Sequence, residues 1–206
     1  MTNLKILITL TLLLVFVACS TDADDEYVFE AAVVCPDNAR GTFVDERDGQ
    51  EYKYTTIGGR KWMAQNLNYS SKNSSCLYQG DSCSFKGRSY KLDGLDSVCP
   101  EGWHLPSQEE WSKLYEVVGG DSIAALRLKS SDGWKKLNPE DGPSGTDDCG
   151  FSIIPARSTR KGSESFVAAF WTSTKQSETF TSNVDAVDIW PAYDSEVFSV
   201  RCVEDR

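Results

Sequence analysis

Six cysteines set behind an apolar leader constrain this chain more than any other feature. They are Cys35, Cys76, Cys83, Cys99, Cys149 and Cys202, and a seventh, Cys19, closes the leader. An even set in an exported chain points to disulfides, because the compartments outside the cytoplasm oxidise thiols. Zinc is the competing use of cysteine, but no C-x-x-C pair occurs and His104 is the single histidine. Six cysteines allow fifteen connectivities, and spacing leaves them open. The one local hint is that Cys76 and Cys83 enclose Leu-Tyr-Gln-Gly-Asp-Ser, a loop of the sort a short-range bridge closes.

Export is read from the leader itself. Lys5 precedes an almost wholly apolar run over residues 6–18. That run is too short for a comfortable membrane span and suits a secretory signal peptide. It ends in Phe16-Val-Ala-Cys19-Ser20, which resembles the lipobox of bacterial lipoproteins, with Phe16 where Leu is usual. The resemblance implies that Cys19 is diacylated and becomes the mature N-terminus, two acyl chains giving the stable anchoring that one does not. Residues 20–26, Ser-Thr-Asp-Ala-Asp-Asp-Glu, read as an acidic tether. We therefore assign residues 1–18 to the signal peptide, 19–40 to the lipidated tether and 41–206 to the domain. Ser20 replaces the Asp that favours inner-membrane retention in enteric lipoproteins. The acidic run is similar to surface-export tethers of the Bacteroidetes type, so the expected location is the outer membrane, with the cell surface as a further destination.

Composition narrows the function classes. A chain of 206 residues suggests one domain or at most two, and 40% hydrophobic with 11% aromatic content is enough for a core. A net charge of −10 argues against a nucleic-acid surface, which needs clustered Lys and Arg, and against broad contact with anionic lipid. A solvated, non-sticky surface is the simplest use of that charge.

The element pattern is α+β in a single domain. Residues 27–34 read as either a short strand or a stiff continuation of the tether. Residues 42–44 and 51–57 flank Asp48-Gly49, a hairpin turn, with Tyr52, Tyr54 and Thr56 expected on one face and Thr55 on the other. Gly58-Gly59 turns the chain into a third strand over 60–64. Residues 66–96 are irregular, with 87–92 a short strand or a helical turn. Ser107 and Glu110 then form a capping box for a helix whose apolar positions are Trp111, Leu114, Tyr115 and Val118. Gly119-Gly120 ends it, and Asp121 is expected to cap a second helix over 122–129. Strands are expected at 151–154, 165–173, 186–190 and 197–203.

Several long, ordered motifs match one family. They are Asp48-Gly-Gln-x-Tyr52, Ile57-Gly58, Trp62-Met-Ala-x-Asn-Leu67, and Cys99-Pro-x-Gly-Trp-His-Leu-Pro-Ser-x-x-Glu-Trp111. Further along come Leu128-Lys-Ser130, Gly133-Trp134, Gly145-Thr-Asp-x-x-Gly-Phe-Ser152, Pro155-Ala156, Trp171-Thr-Ser-Thr174 and Phe198-Ser-Val-Arg-Cys-Val203. Over residues 41–204 the chain resembles the Fibrobacter succinogenes major paralogous domain, departing from it at Arg157 and at Ser89-Tyr90-Lys91. The resemblance implies a C-type-lectin-like fold, shared with formylglycine-generating-type domains: antiparallel strands, two helices, long loops and three disulfides. It also implies the pair Cys99–Cys202, after which Cys76–Cys83 is the natural local pair and Cys35–Cys149 remains.

Little in the sequence supports chemistry. His104 lies at the entry to a capped helix, where a structural role is the simpler reading. No Gly-x-Ser-x-Gly is present, and all six cysteines after Cys19 have disulfide roles. The copper-binding cysteine pair of formylglycine-generating enzymes has only Cys149 and Cys202 as counterparts. An enzyme is therefore not expected, and a degenerate oxidoreductase of that type is the alternative. No cofactor is implied. Asp147, Asp148, Asp185, Asp188 and Asp194 are candidate ligands for calcium, since hard cations take carboxylate oxygens, but the motifs of sugar-binding C-type lectins are missing. Binding of a glycan or a cell-envelope protein is the leading expectation, through the aromatics Trp134, Trp171, Trp190 and Tyr193. Trp62, Trp103 and Trp111 are assigned to the core. A structural or adhesion-complex role in the envelope is the runner-up. The membrane is contacted through the lipid anchor only, and the oligomeric state is open.

Overall fold

A computed structural model describes residues 28–76, 82–136, 138, 140, 142–156 and 166–206. The expected signal peptide, Cys19 and the acidic run fall outside these residues. The chain mixes α and β structure in mostly antiparallel sheets. Helix α1 (Ala31–Val34) leads into β1 (Arg40–Asp45), β2 (Gln50–Ile57) and β3 (Arg60–Met63). Then follow β4 (Ser74–Ser75), α2 (Ser82–Lys86), β5 (Ser89–Lys91) and β6 (Trp103–His104). The two longer helices are α3 (Gln108–Val117) and α4 (Asp121–Leu128). The last third contributes β7 (Val167–Trp171), β8 (Gln176–Thr181), β9 (Asp188–Pro191), β10 (Val197–Phe198) and β11 (Val203–Glu204).

The strands form a five-stranded sheet in the order β1-β2-β3-β11-β6 and two three-stranded sheets, β10-β5-β4 and β7-β8-β9. The hairpins follow from their turns. Gly49 adopts φ 73°, and Gly58 and Gly59 adopt 57° and 75°, the left-handed values that tight hairpin turns require. The expected alternation of β2 holds only for its first half. Thr55 is buried and its hydroxyl donates to the Cys149 carbonyl at 2.7 Å, because the loop carrying Cys149 covers the face expected to meet solvent.

Residues 197–203, expected as one strand, instead run on to Glu204 and stitch the three sheets together. β10 pairs with β5, Ser199 bridges to β7 by accepting from the Trp171 amide and donating to the Ala169 carbonyl at 3.0 Å each, and β11 pairs with both β3 and β6. The Met63 and Leu67 amides donate to the Cys202 and Val200 carbonyls at 3.0 and 2.9 Å. Arg201 points inward from this seam, fully buried. It donates to Asn66 Oδ1 at 3.0 Å, to the Ser152 carbonyl at 2.9 Å and to the Phe151 carbonyl, while its guanidinium lies over the Phe151 ring. A buried cation without a paired carboxylate is tolerable only when such acceptors surround it. Burial lowers its pKa to about 9, partly countered by Asp147, so it stays protonated at neutral pH.

The disulfides are Cys35–Cys149, Cys76–Cys83 and Cys99–Cys202, the same three pairs that the resemblance implies. Cys35 ties the N-terminal segment to the body of the molecule, and the Gly58 amide also donates to the Val34 carbonyl at 2.9 Å. Residues 31–40, expected within the tether, are thus packed helix and turn. Two further expectations change. Gly120, at φ 94°, occupies the N-cap of α4, and Asp121 sits in its first turn. The expected strand at 151–154 reduces to one bridge between Lys129 and Ile153, whereas β8 forms where no strand was expected.

Candidate functional site

The Ser107–Glu110 capping box forms as the spacing predicts: the Glu110 amide donates to Ser107 Oγ at 3.2 Å, and the Ser107 amide donates to Glu110 Oε2 at 2.9 Å. Glu110 is also an electrostatic hub. Its Oε1 accepts from Arg60 at 2.7 Å and lies 3.0 Å from His104 Nε2, while His104 Nδ1 lies 2.5 Å from Asp205. Burial pushes the Glu110 carboxyl up, but the Ser107 amide and His104 outweigh it and leave the pKa below the ordinary carboxylate value. Both ring nitrogens of the only histidine are thereby engaged by carboxylates.

The segment before α3 does more than hold the helix. A cleft of about 870 Å³ opens beside β6, within the size range of small-ligand sites. Trp103, His104 and Leu105 form one wall, and Lys91 at the end of β5 with Asp93 and Asp96 from the segment after it form another. The β7–β8 turn closes it with Ser173 and Lys175, and Asp194 reaches it from the loop after β9. That turn is fastened to the first wall, since the Ser173 amide donates to the Pro106 carbonyl at 2.9 Å. Lys91, Asp93, Asp96, Lys175 and Asp194 are all exposed, and none forms an ion pair among the described residues.

The aromatic assignments divide. Trp190 and Tyr193 are 59% and 70% exposed, on β9 and in the loop that supplies Asp194. Trp134 and Trp171 are core residues, a correction to the expectation that they display themselves to ligands. The indole N–H of Trp134 donates to the Ile153 carbonyl at 3.0 Å, and that of Trp171 to the Tyr90 carbonyl at 2.7 Å, so each polar edge is satisfied inside. Trp103, assigned to the core, is instead half-buried and lines the cleft, with one face stacked on Phe43 at 4.2 Å. Trp62 and Trp111 are buried as expected. The signal that finds Trp103 is its two-residue strand at a sheet edge, which leaves one side uncovered; no property of the local sequence carries it.

The candidate calcium ligands do not converge. Asp147 is spent on Ser152, accepting from its amide at 2.7 Å and its hydroxyl at 2.6 Å. Asp148 lies 3.7 Å from Arg127, and Asp185, Asp188 and Asp194 are exposed on separate parts of the chain from 185 to 194. Among the described residues no group of three or more His, Cys, Asp or Glu side chains is arranged to hold a metal. No helix among the described residues is long and apolar enough to cross a membrane.

The sequence model of the Fibrobacter succinogenes major domain family matches residues 55–204, nearly three quarters of the chain. No curated protein and no solved structure matches it.

Proposed function

This chain belongs to the Fibrobacter succinogenes major domain family, and from that premise we propose that it is a non-enzymatic, lipid-anchored envelope protein that binds a glycan or protein ligand. In this reading the loops are displayed on a C-type-lectin-like scaffold, anchored through Cys19 to the outer membrane. The carrying observation is the pair of exposed aromatics, Trp190 and Tyr193, in the stretch that leads into Asp194 at the cleft. Large exposed rings beside a concave polar surface are the usual anchors for sugar faces and protein hot spots. Against catalysis stand the occupied nitrogens of His104 and the disulfide bonding of Cys149 and Cys202, which leaves no reduced pair for copper. A structural or adhesion role draws support from β9, an edge strand exposed along its whole length, although Pro191 at its end blunts strand pairing.

The test is retention of the mature protein on a panel of plant and bacterial polysaccharides, with and without calcium. Retention that falls in a Trp190→Ala/Tyr193→Ala variant supports the reading, and no retention on any polysaccharide sinks its glycan version. The anchor is tested separately: Cys19→Ser moves the protein from the membrane to the soluble fraction, and unchanged fractionation refutes lipidation.

A further inference from the structure

We infer that the cleft beside β6 takes a neutral carbohydrate chain, with Trp103 as its stacking platform and the unpaired charged groups of the walls as its hydrogen-bonding ring. This rests on the ligand-binding reading above and gives it a ligand class and a location.

Trp103 is held in place from several sides. Phe43 covers one face of its ring and itself stacks on Tyr52 at 5.7 Å, forming a ladder of three aromatics that ends at the cleft. Its amide donates to the Pro100 carbonyl at 3.0 Å, its strand pairs with β11, and the Cys99–Cys202 disulfide ties the segment to the seam. A ring fixed this way offers its remaining surface without ordering cost on binding, which is where preorganised sites gain affinity.

The charges point to the ligand. Three carboxylates, Asp93, Asp96 and Asp194, line the cleft together with two ammoniums, Lys91 and Lys175, and each lacks an ion-pair partner among the described residues. Carboxylates only accept hydrogen bonds and ammoniums only donate them. A ligand that satisfies both kinds at once must carry many groups that donate and accept, and hydroxyls do so. A polyanion would meet three carboxylates on a chain of net charge −10. A flat apolar peptide face would strand the same five charges without partners. Vicinal hydroxyls over one clamped indole fit both features.

The experiment is calorimetric titration of the mature, oxidised protein with soluble gluco-, xylo- and manno-oligosaccharides, and with oligogalacturonate as the acidic counterpart. Binding is expected for at least one neutral series, insensitive to salt, and absent for oligogalacturonate. Trp103→Ala should weaken it by about tenfold or more, the scale of one lost aromatic stacking contact, and Trp103→Phe should restore part of it. Asp194→Asn and Lys175→Ala, both at exposed positions, keep the test decisive if Trp103→Ala does not fold; each should weaken binding several-fold. Preference for oligogalacturonate, or neutral-sugar binding unchanged in all the cleft variants, overturns the inference. If Trp190→Ala/Tyr193→Ala abolishes binding while the cleft variants do not, the location is wrong and the broader ligand-binding reading survives. No binding to any saccharide overturns the inference together with the glycan version of that reading.

Discussion

Lys129 and Lys175 carry the same ammonium into opposite settings. Lys129 is buried beneath the β8–β9 connection, where its Nζ donates to the carbonyls of Thr181 and Val184 at 2.8 Å each and sits 5.4 Å from the Trp134 ring. Burial pulls its pKa down to about 8, with Asp185 opposing, so the charge persists at neutral pH. Lys175 stands exposed on the cleft rim with no ion pair among the described residues. Arg201 and Asp194 repeat the contrast. The interior cations Lys129 and Arg201 are consumed mostly by backbone carbonyls and hold loops and the seam in place, whereas the cleft ammoniums and carboxylates have no ion-pair partner among the described residues. Polar groups committed to structure and polar groups available to a ligand are therefore separable by their partners, and neither residue type nor sequence position separates them.

That contrast can be broken by measurement. Replacing Cys99 and Cys202 together with Ser opens a bridge of sequence separation 103, and the chain-entropy argument sets the loss at about 4–5 kcal/mol in chemical unfolding. Arg201→Met removes the cation and strands the acceptors of Asn66, Phe151 and Ser152, at an expected cost of about 3–4 kcal/mol. A loss under about 1 kcal/mol would show that the seam does not depend on it.

Glu178 supplies a pH test of the interior. It is fully buried on β8, accepting from the Tyr115 hydroxyl at 2.8 Å, and its other oxygen has no partner among the described residues. Burial pushes its pKa from 4.5 to about 7; the Tyr115 hydrogen bond opposes this and Asp121 adds to it. The folded state therefore holds this proton more tightly than the unfolded chain. The resulting stabilisation is complete below about pH 4.5 and is lost as pH rises through about 7, by at most about 3 kcal/mol. Glu178→Gln should flatten that slope in denaturant midpoints measured across the range, and an unaltered slope would assign it to other groups. At the small end, Asp194→Asn, Lys175→Ala and Trp190→Ala should each shift stability by no more than about 0.5 kcal/mol, as substitutions of exposed side chains do. A large loss from any of them would place the cleft rim among the structural charges.

What could be read in the amino-acid sequence was local or combinatorial. The Ser107–Glu110 cap depends on residues three apart, the Asp48-Gly49 and Gly58-Gly59 turns on backbone freedom at single positions, and the presence of disulfides on an even cysteine count behind an apolar leader. Those features, with the motifs over residues 41–204, were sufficient for the α+β class and the family. The tertiary structure alone decided which tryptophans meet solvent, exchanging Trp103 for Trp134 and Trp171 as candidate ligand contacts. It alone placed the polar Gln-Ser-Glu-Thr-Phe-Thr segment in a buried strand, and made residues 197–204 a seam between sheets. The reason is physical: caps and turns are set by neighbours in the chain. The burial of an indole, a glutamate or an arginine is set by whatever distant segment folds over it, and that partner is not encoded nearby.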